Sequence, residues 1–184
     1  MLRIALYGKP GVGKSTFARL LIQHLQTRDT PCAVVKIGAP LYELQALLYT
    51  IAGRPLLEPT AQDGLLLGDL AGHLRRINPS SLTELFAAKV AAAPAEAVLV
   101  CDDMRAPDVE AVKELGFVLV EVQAPQHLRQ ARTHARGDLT PVSEDHPGEA
   151  PVGCTADHRV VNDSDLAALR AQAAALVERV EAPL

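Results

Sequence analysis

Eight residues near the N-terminus have the types and spacing that phosphate binding requires. The run Gly8-Lys9-Pro10-Gly11-Val12-Gly13-Lys14-Ser15 matches the pattern G-x-x-x-x-G-K-[ST]. Backbone N–H groups of such a loop surround phosphate oxygens, and small glycines keep a Cβ out of the way. Lys14 is expected to reach the β- and γ-phosphates as a catalytic cation, and the Ser15 hydroxyl to be a ligand for Mg²⁺. We therefore expect ATP and Mg²⁺ as cofactors, with ATP held by Gly8, Pro10, Gly11, Val12, Gly13, Lys14, Ser15 and Thr16.

A second group of charged residues follows a buried strand. The apolar run 97–101 ends in Asp102-Asp103-Met104-Arg105, and ligands of parallel α/β sheets bind at the carboxyl ends of strands. We expect Asp102 to hold Mg²⁺ beside the phosphate loop and to act in catalysis. Asp103 is expected to contact the substrate, and Arg105 to bind the phosphate of the acceptor molecule. The alternative is a solvated loop in which Asp103 caps a helix.

Three arginines lie on one face of a helix predicted over 126–136. Arg129, Arg132 and Arg136 are spaced by three and four residues, and the polar stretch 137–155 follows them without periodicity. A lid over about 126–156 that brings Arg132 and Arg136 over a transferring phosphoryl group would have this pattern. The alternative is an ordinary charged helix face in contact with solvent.

The acceptor is expected to bind in the region of about 39–80. One aromatic ring, amide and acid groups for a base or sugar, and arginines for phosphate occur there, and the candidates are Tyr42, Gln62, Asp63, Arg75 and Arg76. Because Arg75 and Arg76 are adjacent on a helix, only one of them is expected to face the site. For Tyr42 a position in the core is the alternative, and His73 is interpreted as structural.

The elements that must position these residues alternate between short apolar runs and helical stretches, which is typical of βαβ units on a parallel sheet. The predicted strands are 2–7, 33–37, 97–102, 117–122 and 158–161. The predicted helices are 15–26, 41–52, 64–77, 81–93, 109–115, 126–136 and a final helix from about 166. The pattern predicts a single α/β domain over 1–184.

Composition narrows the range of partners. The chain has 184 residues, a net charge of −4 and no tryptophan, which argues against binding to a nucleic-acid polymer. No apolar run approaches the ~20 residues that cross a bilayer, and the three cysteines match neither a disulfide framework nor a zinc site. We expect a cytoplasmic protein, monomer or homodimer, with no membrane partner. Arginine supplies 13 of 18 basic residues, which suits a small phosphorylated ligand.

Taken together, these residues resemble the nucleoside monophosphate kinases. The resemblance rests on the loop at 8–15, the Asp-x-x-Arg of 102–105, the arginine-bearing lid and the A-D-H-R-V-V-N-D at 156–163. It is closest to the phage-type deoxynucleoside monophosphate kinases and their bacterial relatives. It implies a P-loop three-layer αβα sandwich with a five-stranded parallel sheet and a mobile lid. It also implies ATP-dependent phosphoryl transfer to a nucleoside 5′-monophosphate, with Asn162 and Asp163 near the adenine. The lid arginines and substrate motifs of adenylate kinases are not found in this sequence. We assign no role to His146 and Glu149.

Two other functions remain open from the residues. A P-loop kinase for another small metabolite, such as a dephospho-coenzyme A-like compound or an antibiotic precursor, would use Asp102 or Asp103 to deprotonate a hydroxyl. A non-catalytic ATP-binding sensor would instead close its lid to present a surface. If the acceptor is already an anion, no strong general base is needed, and catalysis rests on positioning and on charge.

Overall fold

The computed structural model describes residues 2–58, 61–136, 138–140 and 150–181, without the side chain of Arg136. Its five strands are all parallel and lie in the order β2-β3-β1-β4-β5. Their bounds are β1 Arg3–Tyr7, β2 Cys32–Val34, β3 Val98–Cys101, β4 Val118–Gln123 and β5 His158–Val161. The helices are α1 Lys14–Gln26, α2 Ala39–Ile51, α3 Gly64–Ile77, α4 Ser81–Ala92, α5 Val109–Glu114, α6 Gln126–Arg136 and α7 Leu166–Glu181, with a 3₁₀ turn at Ala106–Asp108 before α5.

Helices cover both faces of the sheet, so that two apolar cores form. Side chains alternate along β1, with Ile4 and Leu6 in the core that contains α1 and α7, and Ala5 and Tyr7 in the opposite core. This arrangement confirms the predicted α/β sandwich with its five-stranded parallel sheet. No helix in the described ranges is long and apolar enough to cross a membrane.

Most elements lie where the sequence predicts them, but β2 is shorter than the predicted strand 33–37. The N–H of Val35 still donates to the carbonyl of Val100 at 3.0 Å. Beyond it, the N–H groups of Ile37 and Gly38 donate to the carboxylate of Asp103. At these two residues the hydrogen-bond acceptor is the Asp103 side chain and not the backbone of β3. The backbone therefore leaves the sheet after Val35 and enters α2.

Helix α2 forms as its periodicity predicts, yet the face with the apolar stripe that predicts it is not the buried one; the stripe comprises Leu44, Leu47, Leu48 and Ile51. Leu47 and Ile51 are 55% and 72% exposed, whereas Gln45 is buried. The amide of Gln45 donates to the carbonyl of Ala61 at 2.9 Å and accepts from the N–H of Asp63 at 2.8 Å. The inward face of α2 thus fastens the loop before α3 by polar contacts.

We predict that the polar residue matters more to stability than a leucine of the stripe. Gln45→Ala leaves two buried backbone groups without a partner and should lower the free energy of unfolding by about 1–3 kcal/mol. Leu47→Ala on the same helix should change it by less than about 0.5 kcal/mol. Urea denaturation measures both, and a larger loss for Leu47→Ala would contradict the observed orientation of α2.

Candidate active site

The loop between β1 and α1 has the backbone shape of a phosphate-binding loop. Gly8, Gly11 and Gly13 all have positive φ, at 141°, 77° and 96°. A Cβ would lie 2.2 Å from the carbonyl oxygen of Val122 at Gly8 and 2.4 Å from the carbonyl oxygen of Arg129 at Gly11. A side chain at Gly8 or Gly11 would therefore collide with the backbone of the protein, whether or not a ligand is bound.

The third glycine faces the segment after β5. A Cβ at Gly13 would lie 2.4 Å from the amide nitrogen of Asn162, and that amide donates to the carbonyl of Val12 at 2.8 Å. Arg132 of α6 donates from its two Nη atoms to the carbonyl of Asn162 at 3.2 and 3.3 Å. Asn162, expected beside the adenine, is buried and joins the loop to α6, while Asp163 next to it is exposed.

Lys14 begins α1 and lies across its own loop. Its ammonium group donates to the carbonyls of Gly8 at 2.7 Å and Lys9 at 3.3 Å. The first turn of α1 contains no acidic residue, so that the partial positive charge of the helix end is not offset locally. The loop thus combines a lysine and a helix N-terminus, which suits a polyphosphate.

One cavity of about 760 Å³ runs from this loop to the helices α2 and α3. It brings together most of the residues that the sequence analysis singled out, and these lining residues are Pro10, Gly11, Gly13, Lys14, Ser15, Thr16, Tyr42, Gln62, Arg75, Asp102, Asp103, Arg105 and Arg132. The lining does not include Gly8, Val12, Asp63, Arg76 or Asn162. Arg136 ends α6 with a side chain outside the described residues, and residues 137 and 141–149 of the predicted lid, which include His146 and Glu149, are also outside them.

The two acids after β3 already have partners within the protein. The carboxylate of Asp102 is buried and lies 2.9 Å from the ammonium of Lys36. Asp103 accepts from the N–H groups of Ile37 at 3.0 Å and Gly38 at 2.9 Å. Burial raises the pKa of Asp103 against the opposing effect of these two hydrogen bonds. Asp103 therefore holds the turn between β2 and α2.

Lys36 is a cavity residue that the sequence analysis missed. Burial acts to lower the pKa of Lys36, but the Asp102 carboxylate outweighs burial and raises that pKa overall. The available signal was its position at the end of the apolar run 33–35, because β2 and β3 are parallel and their carboxyl ends meet at one edge. Lys36 thus lines the cavity as the cationic half of an ion pair with Asp102.

The two arginines at the end of α3 differ in their surroundings. Arg75 lines the cavity and donates to the buried carboxylate of Asp108 at 2.8 Å, whereas Arg76 is exposed. The structure thus places only Arg75 at the cavity. Asp108 was also missed by the sequence analysis, because nothing in the local pattern indicates that this acid is buried.

Asp63 caps α3 and lies between Gln62 and Gly64, which line the cavity, without lining the cavity itself. Its carboxylate accepts from the N–H of Leu66 at 3.1 Å, from the hydroxyl of Tyr49 at 2.7 Å and from the hydroxyl of Thr140. Burial acts to raise the pKa of Asp63, but these hydrogen bonds outweigh it and lower the pKa overall. Thr140 follows α6, and its carbonyl also accepts from the N–H of Gly64 at 2.9 Å. Thr140, which lies within the predicted lid, therefore contacts the predicted acceptor region.

The oxygen donors that line the cavity fit a magnesium ion. The Ser15 hydroxyl and the Asp102 carboxylate are both at the cavity, and Mg²⁺ prefers a few protein oxygens together with phosphate oxygens and water. Within the described residues there is no group of three or more His, Cys, Asp or Glu side chains that could hold a metal ion.

Comparison with known proteins identifies the fold. No protein-family model and no curated protein matches this sequence. Among solved structures, the chain is similar to the APS kinase CysC of Mycobacterium tuberculosis in complex with AMPPNP and APS, with TM-score 0.59, 17% identity and 98% of each chain covered. The shikimate kinase of Acinetobacter baumannii in complex with shikimate has TM-score 0.54 and 14% identity, over 98% of this chain and 93% of that one.

A third solved structure agrees with the first two in fold. TT1252 of Thermus thermophilus has TM-score 0.51 and 22% identity, over 96% of this chain and 97% of that one. The chain therefore has a fold shared with P-loop kinases along nearly its whole length. The similarity is to the fold, and membership of the phage-type deoxynucleoside monophosphate kinases is not shown by it.

Glycine replacement tests the packing of the loop. Gly11→Ala combines left-handed backbone strain with the 2.4 Å contact to the Arg129 carbonyl, so the loop must shift. We expect ATP affinity to fall by about tenfold or more, or about 1.4 kcal/mol. Gly53→Ala is the matched control, because Gly53 has φ 71° and open space around its Cβ. It should cost about 1–2 kcal/mol of stability and leave ATP affinity unchanged in calorimetry. Equal ATP affinities for the two variants would contradict this packing.

A second prediction concerns Asp103. Asp103→Asn leaves one oxygen for two buried N–H donors, those of Ile37 and Gly38. We expect the free energy of unfolding to fall by about 1–3 kcal/mol in urea denaturation. An unchanged stability together with a lost acceptor affinity would show instead that Asp103 serves mainly as a substrate contact.

Proposed function

We propose that this protein is a Mg²⁺- and ATP-dependent kinase that transfers the γ-phosphoryl group to a (deoxy)nucleoside 5′-monophosphate or a modified nucleotide. The observation that carries the proposal is the continuous cavity of about 760 Å³, which has the P-loop at one end and Arg75 and Arg105 on the acceptor side. A cavity lined in this way suits two phosphorylated ligands bound end to end.

In the proposed reaction, an acceptor phosphate oxygen forms a bond to the γ-phosphorus while the bond to the β–γ bridging oxygen of ATP breaks. Lys14 and the N-terminus of α1 would stabilise the charge on the donor phosphates. Arg105 would bind the phosphate of the acceptor, and Arg132 would contact the transferring group, with Arg136 brought in by the lid. A bound Mg²⁺, held by Ser15 and Asp102, would supply further positive charge.

The existing partners of the Asp102 and Asp103 carboxylates favour a phosphate acceptor over a hydroxyl acceptor. Both oxygens of Asp103 accept backbone hydrogen bonds, and Asp102 pairs with the Lys36 ammonium at 2.9 Å. A carboxylate that must deprotonate a hydroxyl needs hydrogen-bond access to it. A phosphate acceptor is already an anion, so it requires cations near the reacting oxygen, and Lys36, Arg75 and Arg105 line the cavity.

The other lining residues suit a nucleoside. Leu67 and Ala71 of α3 line the cavity beside Leu41, and all three are apolar. Tyr42 offers an aromatic ring and Gln62 an amide at the same cavity. A planar base packs well between apolar and aromatic side chains, and an amide can donate to it and accept from it.

A screen for ADP release tests the proposal. Wild-type protein with Mg²⁺ and ATP is supplied with each nucleoside monophosphate, including 5-substituted pyrimidines, and with non-phosphorylated alcohols. We expect ADP release that depends on a monophosphate. Lys14→Ala should reduce the rate by about a hundredfold or more without unfolding the protein, and Lys89→Ala, which changes an exposed side chain of α4, should leave the rate unchanged.

Three results would contradict the proposal in different ways. Turnover of alcohols alone would indicate a kinase for another metabolite, such as a dephospho-coenzyme A-like compound or an antibiotic precursor. ATP binding without turnover of any acceptor would indicate a sensor. Full activity of Lys14→Ala would exclude the P-loop as the donor site.

A further inference from the structure

A buried acid beside the acceptor end of the cavity has no role in the reaction described above. Asp108 ends the 3₁₀ turn that follows β3, and it is 0% exposed. An ionised carboxylate in such a position is costly unless charged or hydrogen-bonded partners compensate it. The groups that hydrogen-bond to the Asp108 carboxylate must therefore compensate its burial.

The two oxygens of Asp108 bind two different parts of the site. Oδ1 accepts from Nη2 of Arg75 at 2.8 Å, and Oδ2 accepts from the backbone N–H of Arg105 at 2.9 Å. Arg75 lies on α3, whereas Arg105 lies in the loop after β3. One carboxylate thus sets the spacing between two arginine positions that both line the cavity.

The contact with Asp108 adds to the apolar packing of helix α3. None of the residues of α3 is fully buried, and its Leu67, Leu70, Ala71 and Leu74 pack partly buried against the core. The ion pair between Arg75 and Asp108 attaches its last turn to the loop after β3, with the Arg75 side chain 21% exposed. The guanidinium has five N–H donors in a rigid plane, and a bond to one carboxylate oxygen leaves others able to bind an anion.

We propose that Asp108 is a positioning residue for the acceptor. It orients Arg75, and fixes the backbone at Arg105, so that these two residues bind the phosphate of a phosphate monoester. The inference rests on the proposed function and deepens it, because it assigns the acceptor phosphate to Arg75 and not to the exposed Arg76. Asp108 acts through Arg75 and does not itself contact the acceptor.

The central experiment measures KM for acceptor and for ATP in Asp108→Asn. The amide keeps the size of the side chain but loses the charge that orients Arg75. We expect the acceptor KM to rise by about tenfold, as for loss of a charge-assisted contact, and the KM for ATP to change less than about twofold. Glu110→Gln is the matched control, because it removes the same charge two residues further on from a side chain that is 84% exposed. Equal changes in both KM values would overturn the proposal.

Arginine variants separate positioning from a general structural role. Arg75→Met should raise the acceptor KM by about the same factor as Asp108→Asn, and the double variant should be little worse than either single one. Arg76→Met should leave the acceptor KM unchanged. Independent, additive effects of Asp108→Asn and Arg75→Met would overturn the proposal. If Asp108→Asn does not fold, an unchanged acceptor KM in Arg75→Met would overturn it as well.

Phosphate binding distinguishes this inference from the proposed function. Protein saturated with a non-hydrolysable ATP analogue is titrated with inorganic phosphate, so that the P-loop is filled up to the γ-phosphate position and the acceptor end remains. Phosphate binding that Arg75→Met weakens and Arg76→Met does not would support the positioning of Arg75, even if the wild type transfers no phosphoryl group to any monophosphate. Absence of phosphate binding in the wild type would overturn it, whatever the outcome of the ADP-release screen.

Discussion

The close packing of one loop against three other elements is the constraint on which the rest of the structure depends. Gly8, Gly11 and Gly13 approach the end of β4, the helix α6 and the segment after β5 at distances that exclude a Cβ. Each glycine also has positive φ, which other residues rarely adopt. The positions of these elements are therefore coupled. A shift of the loop requires a shift of α6, which would carry the lid arginines, and of the segment after β5.

The acids of the site serve mainly to hold cations and backbone groups in place. Asp102 pairs with Lys36, Asp103 holds the turn after β2, and Asp108 joins α3 to the loop after β3. Each of these contacts connects segments that are far apart in the chain. The cavity thus keeps several positive groups at fixed positions in a chain whose overall charge is −4, which is what positioning and charge stabilisation require.

Much of the fold could be predicted because its elements have strong local patterns. The helices α3 and α6 and the strand β5 have the predicted bounds, and the P-loop has the expected place between a strand and a helix. The buried face of α2 could not be predicted, because an apolar stripe normally faces the core, whereas here the inward face is held by hydrogen bonds to the loop before α3. There, Gln45 is buried by its hydrogen bonds to a loop, and Leu47 is left exposed.

By itself, the sequence determined the class of fold, the place of the G-x-x-x-x-G-K-[ST] loop between a strand and a helix, and the acidic and basic residues at the ends of the strands. These features depend on local spacing, which a linear pattern contains. Only the tertiary structure decided that Arg75 and not Arg76 lines the cavity, that Lys36 pairs with Asp102, and that Asn162 contacts the P-loop. Such pairings depend on strand order and on the packing of distant segments, and neither is recorded in the spacing of neighbouring residues.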